Sequence, residues 1–391
     1  LRTVLHLLID TFRGDKSLSD VTVCKRCVLS DSFPRLTFDN QGVCSVCRAY
    51  ERWTSEWKSK LREQRKILDK ICVNAKNKHR EFDALIPYSG GKDSSYVLYV
   101  AKKKLGLNCL AYTADNGYLS EHAKDNIDKA CRKLEVEHVY YHFNTELMNR
   151  LYALFIRKTG YPCSVCMRAI QIGIYKFADM YDIPIIIQGT SLKTELPLSR
   201  EMAEHGRLPH VRGVLKGEPI ATECKRFLSD LSVRRKVGFV LFRLTGRKRL
   251  ITYAYFNLAD YVDWNYKEIF DTIRQELNWT SSEETEHMDC IIHPIQNYIQ
   301  LRRFPDLDLD RLRYARLIMA GQMTRVEAMR KLEKPAQQCP KSVLNLFLKN
   351  IGMSKNEFDN FIDMGPRHLQ YDSPTFVERI IRIIFPRPDG I

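Results

Sequence analysis

Three groups of residues in this 391-residue chain have the types and spacing to do chemistry. The first is PYSGGKDSSYVLYV, Pro87 to Val100. An apolar run ends there, Gly90 and Gly91 allow a tight turn with close backbone approach, and a helical pattern starts at once. The first amides and the dipole of that helix would face an anion. Lys92 adds a point charge, and Ser89, Ser94 and Ser95 offer hydroxyls to phosphate oxygens. Because the glycines are adjacent and Asp93 follows Lys92, this is not the G-x-x-x-x-G-K-[ST] loop. The bland alternative is a glycine turn that only joins a strand to a helix.

The other two groups are cysteines. Cys24, Cys27, Cys44 and Cys47 form two C-x2-C knuckles sixteen residues apart, the pattern of a closed tetrahedral zinc site. Another metal, or unbound thiols, would be the alternatives. A closed site has no open coordination position, so its role would be folding or docking. Cys163 and Cys166, in YPCSVCMR, are less determined. A redox pair would start its own redox fold, and this pair does not. As packing residues their tight spacing would be accidental. As zinc ligands they lack an obvious second pair, with Cys224, His287 and His293 as possible additions. As thiolates of an iron-sulfur cluster they need a third cysteine, Cys290 in EHMDCIIHP first and Cys224 second, with the fourth iron left open. Twelve cysteines, concentrated in pairs, fit metal thiolates in a reducing cytosol better than a secreted disulfide scaffold.

The elements that would position these residues follow from hydrophobic periodicity. After Phe82, the runs FDALIPY, LNCLAYTAD, HVYYHF and IPIIIQGTS alternate with helical patterns, one of them opened by Ser120. That rhythm predicts βαβ units and a parallel, doubly wound sheet whose ligands bind at the carboxyl ends of the strands. Both Ser89 to Ser95 and the Cys163 pair fall at those ends. Beyond Leu250 the chain reads as mostly helical, with Thr324 and Glu327 marking a capped helix. The expected division is 1–50 for a tail and zinc-ribbon module, 51–80 for an amphipathic linker helix, 81–235 for the nucleotide domain and 236–391 for a helical domain. In the linker, Trp53, Trp57, Leu61, Leu68 and Ile71 recur at helical spacing.

The net charge of +15 is concentrated. Residues 51–80 hold ten Lys/Arg against four Asp/Glu, and residues 197–249 hold thirteen against five. A polyanionic partner such as RNA, a nucleotide or a diphosphate-linked substrate would suit this, as would a plain solvated face. No apolar run is long enough to span a bilayer, so a soluble cytoplasmic protein is expected. The chain begins on Leu1 rather than Met, as a trimmed or incomplete product would.

SGGKDSS resembles the PP-loop of the ATP pyrophosphatase (adenine nucleotide alpha hydrolase) superfamily. This resemblance implies a Rossmann-like HUP fold and cleavage of ATP between the alpha and beta phosphates, with AMP transferred to a substrate oxygen. It also implies that Ser89 to Ser95 hold the pyrophosphate, that Asp93 lies near Mg2+ or the reacting phosphate, and that backbone at Thr113 and Ala114 meets adenine. Gly189 and Thr190 sit where relatives carry a further nucleotide contact. CKRCVLSDSFPRLTFDNQGVCSVC, with YVDWNYKEIFDTIRQELNW and RLIMAGQMTRVEAM, resembles the N-acetyl sugar amidotransferases over most of the chain. Those enzymes convert a sugar acetamido group to an amidine and generally lack the Cys163 pair. PP-loop sulfur-transfer enzymes that thiolate transfer RNA have a C-x-x-C at this place and a later single cysteine, though Cys290 lies much farther on than is usual.

The leading expectation is therefore an ATP-dependent sulfur transferase. Asp93, Lys92, Cys163 and Cys166 would be its catalytic residues, and Cys163, Cys166 and Cys290 the ligands of a [4Fe-4S] cluster or carriers of a persulfide. Its substrate would be a nucleotide, tRNA or other phosphorylated small molecule, and a sulfur donor would be needed. The alternatives are an amidotransferase, fed ammonia by a glutaminase partner, and a non-enzymatic zinc-ribbon RNA-binding protein.

Overall fold

The structure, a computed structural model, describes residues 22–31, 33, 36–189, 208–224, 254–281, 289–303, 309–333 and 339–363. Thr190, His287 and most of the basic segment 197–249 lie outside the described residues. The first long element is α1, Ser45–Lys76. It is followed by β1 Ala84–Pro87, α2 Lys92–Tyr99, β2 Cys109–Asp115, α3 Glu121–Leu134, β3 Glu137–His142, α4 Thr145–Thr159, α5 Cys163–Met180, β4 Ile185–Gln188 and α6 Leu208–Leu215. Then come β5 Ala254–Asn257, α7 Tyr266–Leu277, α8 His293–Arg303, α9 Leu309–Met319, α10 Arg325–Leu332, α11 Lys341–Ile351 and α12 Lys355–Asp363.

The five strands form one sheet in the order β3-β2-β1-β4-β5, and every neighbouring pair is parallel. The four apolar runs of the sequence are β1 to β4. The fifth strand, AYFN, pairs from Ile185↔Ala254 to Gln188↔Asn257. It lies beyond residue 235, in the stretch read as helical, and four residues of mixed aromatic and polar character give no clear period.

Side-chain alternation along the strands divides the core in two. Ala84, Ile86, Cys109, Ala111, Ile185 and Ile187 face Leu68 and Cys72 of α1, Val97 of α2, Ile127 of α3 and Ile269 of α7. Leu85, Leu110, Tyr112 and Ile186 face Ile174, Phe177 and Ala178 of α5. Helices thus cover both faces, and the fold is a doubly wound parallel α/β sheet with a mostly helical region after it. A third core joins α4, α5, α6, α8, α11 and α12. A fourth packs the amino-terminal cysteines against Leu312 and Ala315 of α9 and Ala328 of α10.

Local signals set the helix ends. Ser120 caps α3 by accepting from Ala123 N at 3.0 Å, and Thr324 with Glu327 makes a capping box on α10. The linker helix begins earlier than residue 51. Cys44 is the N-cap of α1, so the second cysteine knuckle and the 32-residue helix are one continuous piece. Among the described residues, no helix is long and apolar enough to cross a membrane.

Candidate functional site

The strand order departs from β1 in two directions, to β2 on one side and to β4 on the other, which opens a crevice at their carboxyl ends. The loop from Tyr88 to Gly91 fills the rim of that crevice. Gly90 has φ +77°, and a Cβ there would come within 2.5 Å of Ala123 O, so only glycine fits. Its carbonyl is drawn away from the loop interior by Trp279 Nε1 at 2.9 Å and Asn126 Nδ2 at 3.4 Å. Gly91 is the N-cap of α2, leaving the first amides of that helix for a ligand.

The loop hydroxyls split into two sets. Ser89 Oγ and Ser94 Oγ lie 3.2 Å apart, and Ser94 Oγ donates to Gly91 O at 3.1 Å, so both belong to the loop itself. Ser95 is fully buried behind it, with its hydroxyl 3.3 Å from that of Tyr88. Lys92 Nζ is 3.0 Å from Asp93 Oδ2 and 4.7 Å from the centre of the Tyr266 ring. The residue closing β4 also reaches the loop. A Cβ on Gly189 would stand 3.1 Å from Asp93 O and 3.0 Å from Val97 Cγ2, so the chain leaving β4 lies against the first turn of α2. Thr113, 2% exposed, donates to Tyr88 O and accepts from His138 Nε2 at 2.7 Å, and Ala114 follows it at the end of β2. Burial pushes the His138 imidazole down to about 4, so it is neutral near pH 7.

The amino-terminal quartet is a different environment. The sulfur atoms of Cys24, Cys27, Cys44 and Cys47 all lie within 4.8 Å of one another, and the residues are at most 1% exposed. Cys27 Sγ and Cys44 Sγ are 3.8 Å apart. Four sulfurs at ~2.3 Å around a tetrahedral zinc ion would be separated by ~3.8 Å, so the donor set fits such an ion. Backbone amides of Arg26, Cys27, Leu29, Cys44 and Cys47 point at these sulfurs from 3.3 to 3.5 Å, which favours the thiolate form. The knuckle is docked by Arg325 Nε, which donates to Cys27 O at 2.9 Å, and by Arg311 Nη1, which donates to Val28 O at 2.9 Å.

The third group assembles at the strand ends. Cys163 and Cys166 occupy the first turn of α5. Cys290 reaches them because its segment pairs back on the loop after β2. Leu119 and Cys290 form an antiparallel bridge, Ser120 N donates to Asp289 O at 3.0 Å, and Ile291 N donates to Tyr118 O at 2.9 Å. From that loop Asn116 Nδ2 donates to Cys166 Sγ at 3.2 Å. Tyr152 Oη lies 2.9 Å from Cys166 Sγ. All three cysteines keep partial exposure. Burial, followed by the neighbouring sulfurs of Cys166 and Cys290, raises the Cys163 thiol well above its usual range. Burial raises Cys166 as well, against hydrogen bonds from Tyr152 and Asn116, and it pushes Cys290 up to about 12. Cys224 responds instead to burial, Glu223 and Arg150. The three thiols share one rim but do not close around a single ion. Among the described residues, the quartet alone gathers three or more metal-ligating atoms within 4.8 Å.

Four residues of this architecture escaped the sequence reading. Asn126 and Trp279 hold Gly90 O, Asn116 holds the Cys166 sulfur, and the Asp289 carboxylate reaches 3.9 Å from where a Cβ on Gly91 would be. Asn116 stands directly after a strand end, a position where a polar residue is a usable signal. Trp279 and Asp289 depend on pairings across long stretches of chain, which no local pattern shows.

Comparison with known proteins gives partial likenesses. Residues 278–382 match the family model described as LPS biosynthesis protein WbpG-like, C-terminal domain. The "Uncharacterized protein MJ1599" of Methanocaldococcus jannaschii is 25% identical over 186 residues, 46% of this chain and 63% of that protein. The match thus spans less than two thirds of that relative's length. Among solved structures, the U34-tRNA thiolase NcsA from Methanococcus maripaludis with its [4Fe-4S] cluster is similar at a TM-score of 0.32 and 14% identity, over 90% of this chain and 99% of that one. The NH3-dependent NAD synthetase from Campylobacter jejuni is similar at a TM-score of 0.28 and 12% identity, over 57% and 93%. Likenesses of this size say nothing by themselves about activity.

Proposed function

We propose that this chain is an ATP-dependent, AMP-forming sulfur transferase acting on a carbonyl oxygen of a nucleobase, nucleotide or amide. The observation that supports it is the gathering of Cys163, Cys166 and Cys290 on the same strand ends as the phosphate loop. A neutral carbonyl oxygen is a poor leaving group. Attack of that oxygen on the alpha phosphorus of ATP expels pyrophosphate and leaves the carbon bearing an adenylate. A sulfur nucleophile then adds to the carbon, and AMP departs with the original oxygen.

The chain's residues divide this work. The amides at the start of α2, with Ser89 and Ser94, bind the leaving pyrophosphate, and Lys92 offsets its charge. Asp93 would hold Mg2+, which screens the phosphates when bound. Thr113, Ala114 and Gly189 line the nucleotide side. Cys163, Cys166 and Cys290 would hold a [4Fe-4S] cluster, which supplies an iron position for sulfide; Asn116 and Tyr152 orient the thiols. The quartet would hold Zn2+ and serves folding. A sulfur donor is the partner implied, and the chemistry belongs in the cytoplasm.

A second reading is an N-acetyl sugar amidotransferase, favoured by the WbpG-like match over residues 278–382. It needs ammonia from a glutaminase partner and has no use for three converging thiols. Iron, zinc and acid-labile sulfide measured on protein purified without oxygen separate the two. Iron and sulfide near four per chain, with about one zinc, support sulfur transfer. Zinc without iron, and AMP release that requires ammonia but not sulfide, would establish the amidotransferase.

A further inference from the structure

The sequence reading did not use Asp289, and the proposed chemistry gives it no role. Its position is unusual in joining two sites within one dipeptide. Its Oδ2 atom stands 3.9 Å from the place a Cβ on Gly91 would occupy, over the turn where phosphate is expected. Among the described residues, no side chain hydrogen-bonds to this carboxylate. The next residue, Cys290, lies close enough to Cys163 and Cys166 for the thiols to interact electrostatically, and Cys166 accepts from Asn116 Nδ2 at 3.2 Å. The dipeptide has little freedom, since Asp289 O accepts from Ser120 N at 3.0 Å, and Cys290 bridges to Leu119. Asp289 and Cys290 thus share one short, anchored stretch of backbone, so a pull on the Asp289 side chain acts on the segment that carries Cys290.

A carboxylate at this point meets a strong field whenever the loop fills. Bare phosphates repel it and a phosphate-bound divalent cation attracts it, and burial within the crevice weakens screening of either force. Asn116 lies on the same β2–α3 connection as Leu119 and Ser120, so Cys166 is tied to the element that Asp289 grips.

We propose that Asp289 is a positioning residue that couples occupancy of the phosphate loop to the arrangement of the thiols. Metal-bound nucleotide draws the carboxylate inward, and Cys290 moves with it toward Cys166. This rests on the reading of the loop as an ATP site.

The test follows alkylation of Cys290 and Cys166 by N-ethylmaleimide in the phosphine-reduced full-length protein, by peptide mass spectrometry, alongside a MgATP titration. In the wild type, MgATP should slow Cys290 alkylation at least about fivefold, the lower end of a site-to-site coupling, and adenosine should not. In Asp289→Asn the effect should shrink below about twofold although MgATP still binds, and Asp289→Glu should restore it. Full retention of the effect in Asp289→Asn would overturn the coupling. So would adenosine acting as well as MgATP, a result read from the wild type alone even if a variant fails to fold. MgATP that binds without altering the thiols overturns the coupling and leaves the ATP site standing; no MgATP binding at all overturns both.

Discussion

Cys24, Cys27, Cys44 and Cys47 are sealed from solvent and ringed by five backbone N–H donors, whereas Cys163, Cys166 and Cys290 keep partial exposure and are held by the side chains of Asn116 and Tyr152. The donor atom is the same in both centres. What differs is the number of ligands and the access to the outside. Four converging sulfurs would complete a tetrahedron around one ion and leave no position on it for a substrate. The other three sulfurs are partly exposed beside the phosphate loop, and under the proposed function that opening is where sulfur would be delivered. Under the proposed function, folding and reaction would fall to these two chemically different cysteine groups.

Exchanging the damage between the two centres is the sharpest way to break this contrast. Cys24→Ser should release the bound metal and cost at least about 4 kcal/mol of stability, read by calorimetry, with hydrogen exchange accelerated over 22–50 and α9–α10. Cys166→Ala should do the opposite, lowering product formation at least about a thousandfold while its Tm moves by less than about 4 °C. Equal loss of stability from both would erase the distinction.

Two smaller effects sharpen it without touching a cysteine. His138 has its folded pKa held near 4 by burial, below the ordinary 6.5. Between those values the unfolded chain binds more protons, so this contribution to stability is complete above pH 6.5 and is lost as pH falls toward 4. The loss should be about 2 kcal/mol after allowance for partial exposure, and denaturant titrations of His138→Gln should show a flatter pH profile over that window. Trp279→Phe removes the donor to Gly90 O, a change of about 1 kcal/mol that should weaken MgATP binding about fivefold in calorimetry. Its thiol reactivity without nucleotide should match the wild type, because Trp279 braces the loop rather than the sulfurs.

Much of this organisation was legible in the residues. SGGKDSS fixed the strand-loop-helix junction because two adjacent glycines and a following helical pattern leave few other conformations. Period-2 burial named β1 to β4, and the C-x2-C spacing placed the quartet, since two knuckles on one ion are a local constraint. The third thiol was harder. Cys290 enters the site through a short antiparallel pairing with Leu119, a contact made across the whole sheet domain and invisible to local periodicity. The same holds for Trp279, whose indole reaches Gly90 O across 189 positions of chain. Strand β5 escaped for the opposite reason, being too short to show any period.

The continuity of α1 ties the second cysteine knuckle to the face of the sheet. Lys76 Nζ reaches Leu105 O, just before β2, and Trp57 Nε1 reaches Asp260 O, just after β5. The helix therefore crosses the sheet from its carboxyl edge to its amino edge. The thirteen residues from Ser45 to Trp57 make twelve steps of 1.5 Å, about 18 Å of helix between the cysteine knuckle and the Trp57 contact. Cys44 and Cys47 are therefore rooted in the same rod that packs on the sheet through Leu68 and Cys72, so unfolding of the knuckle would also free the first turn of α1.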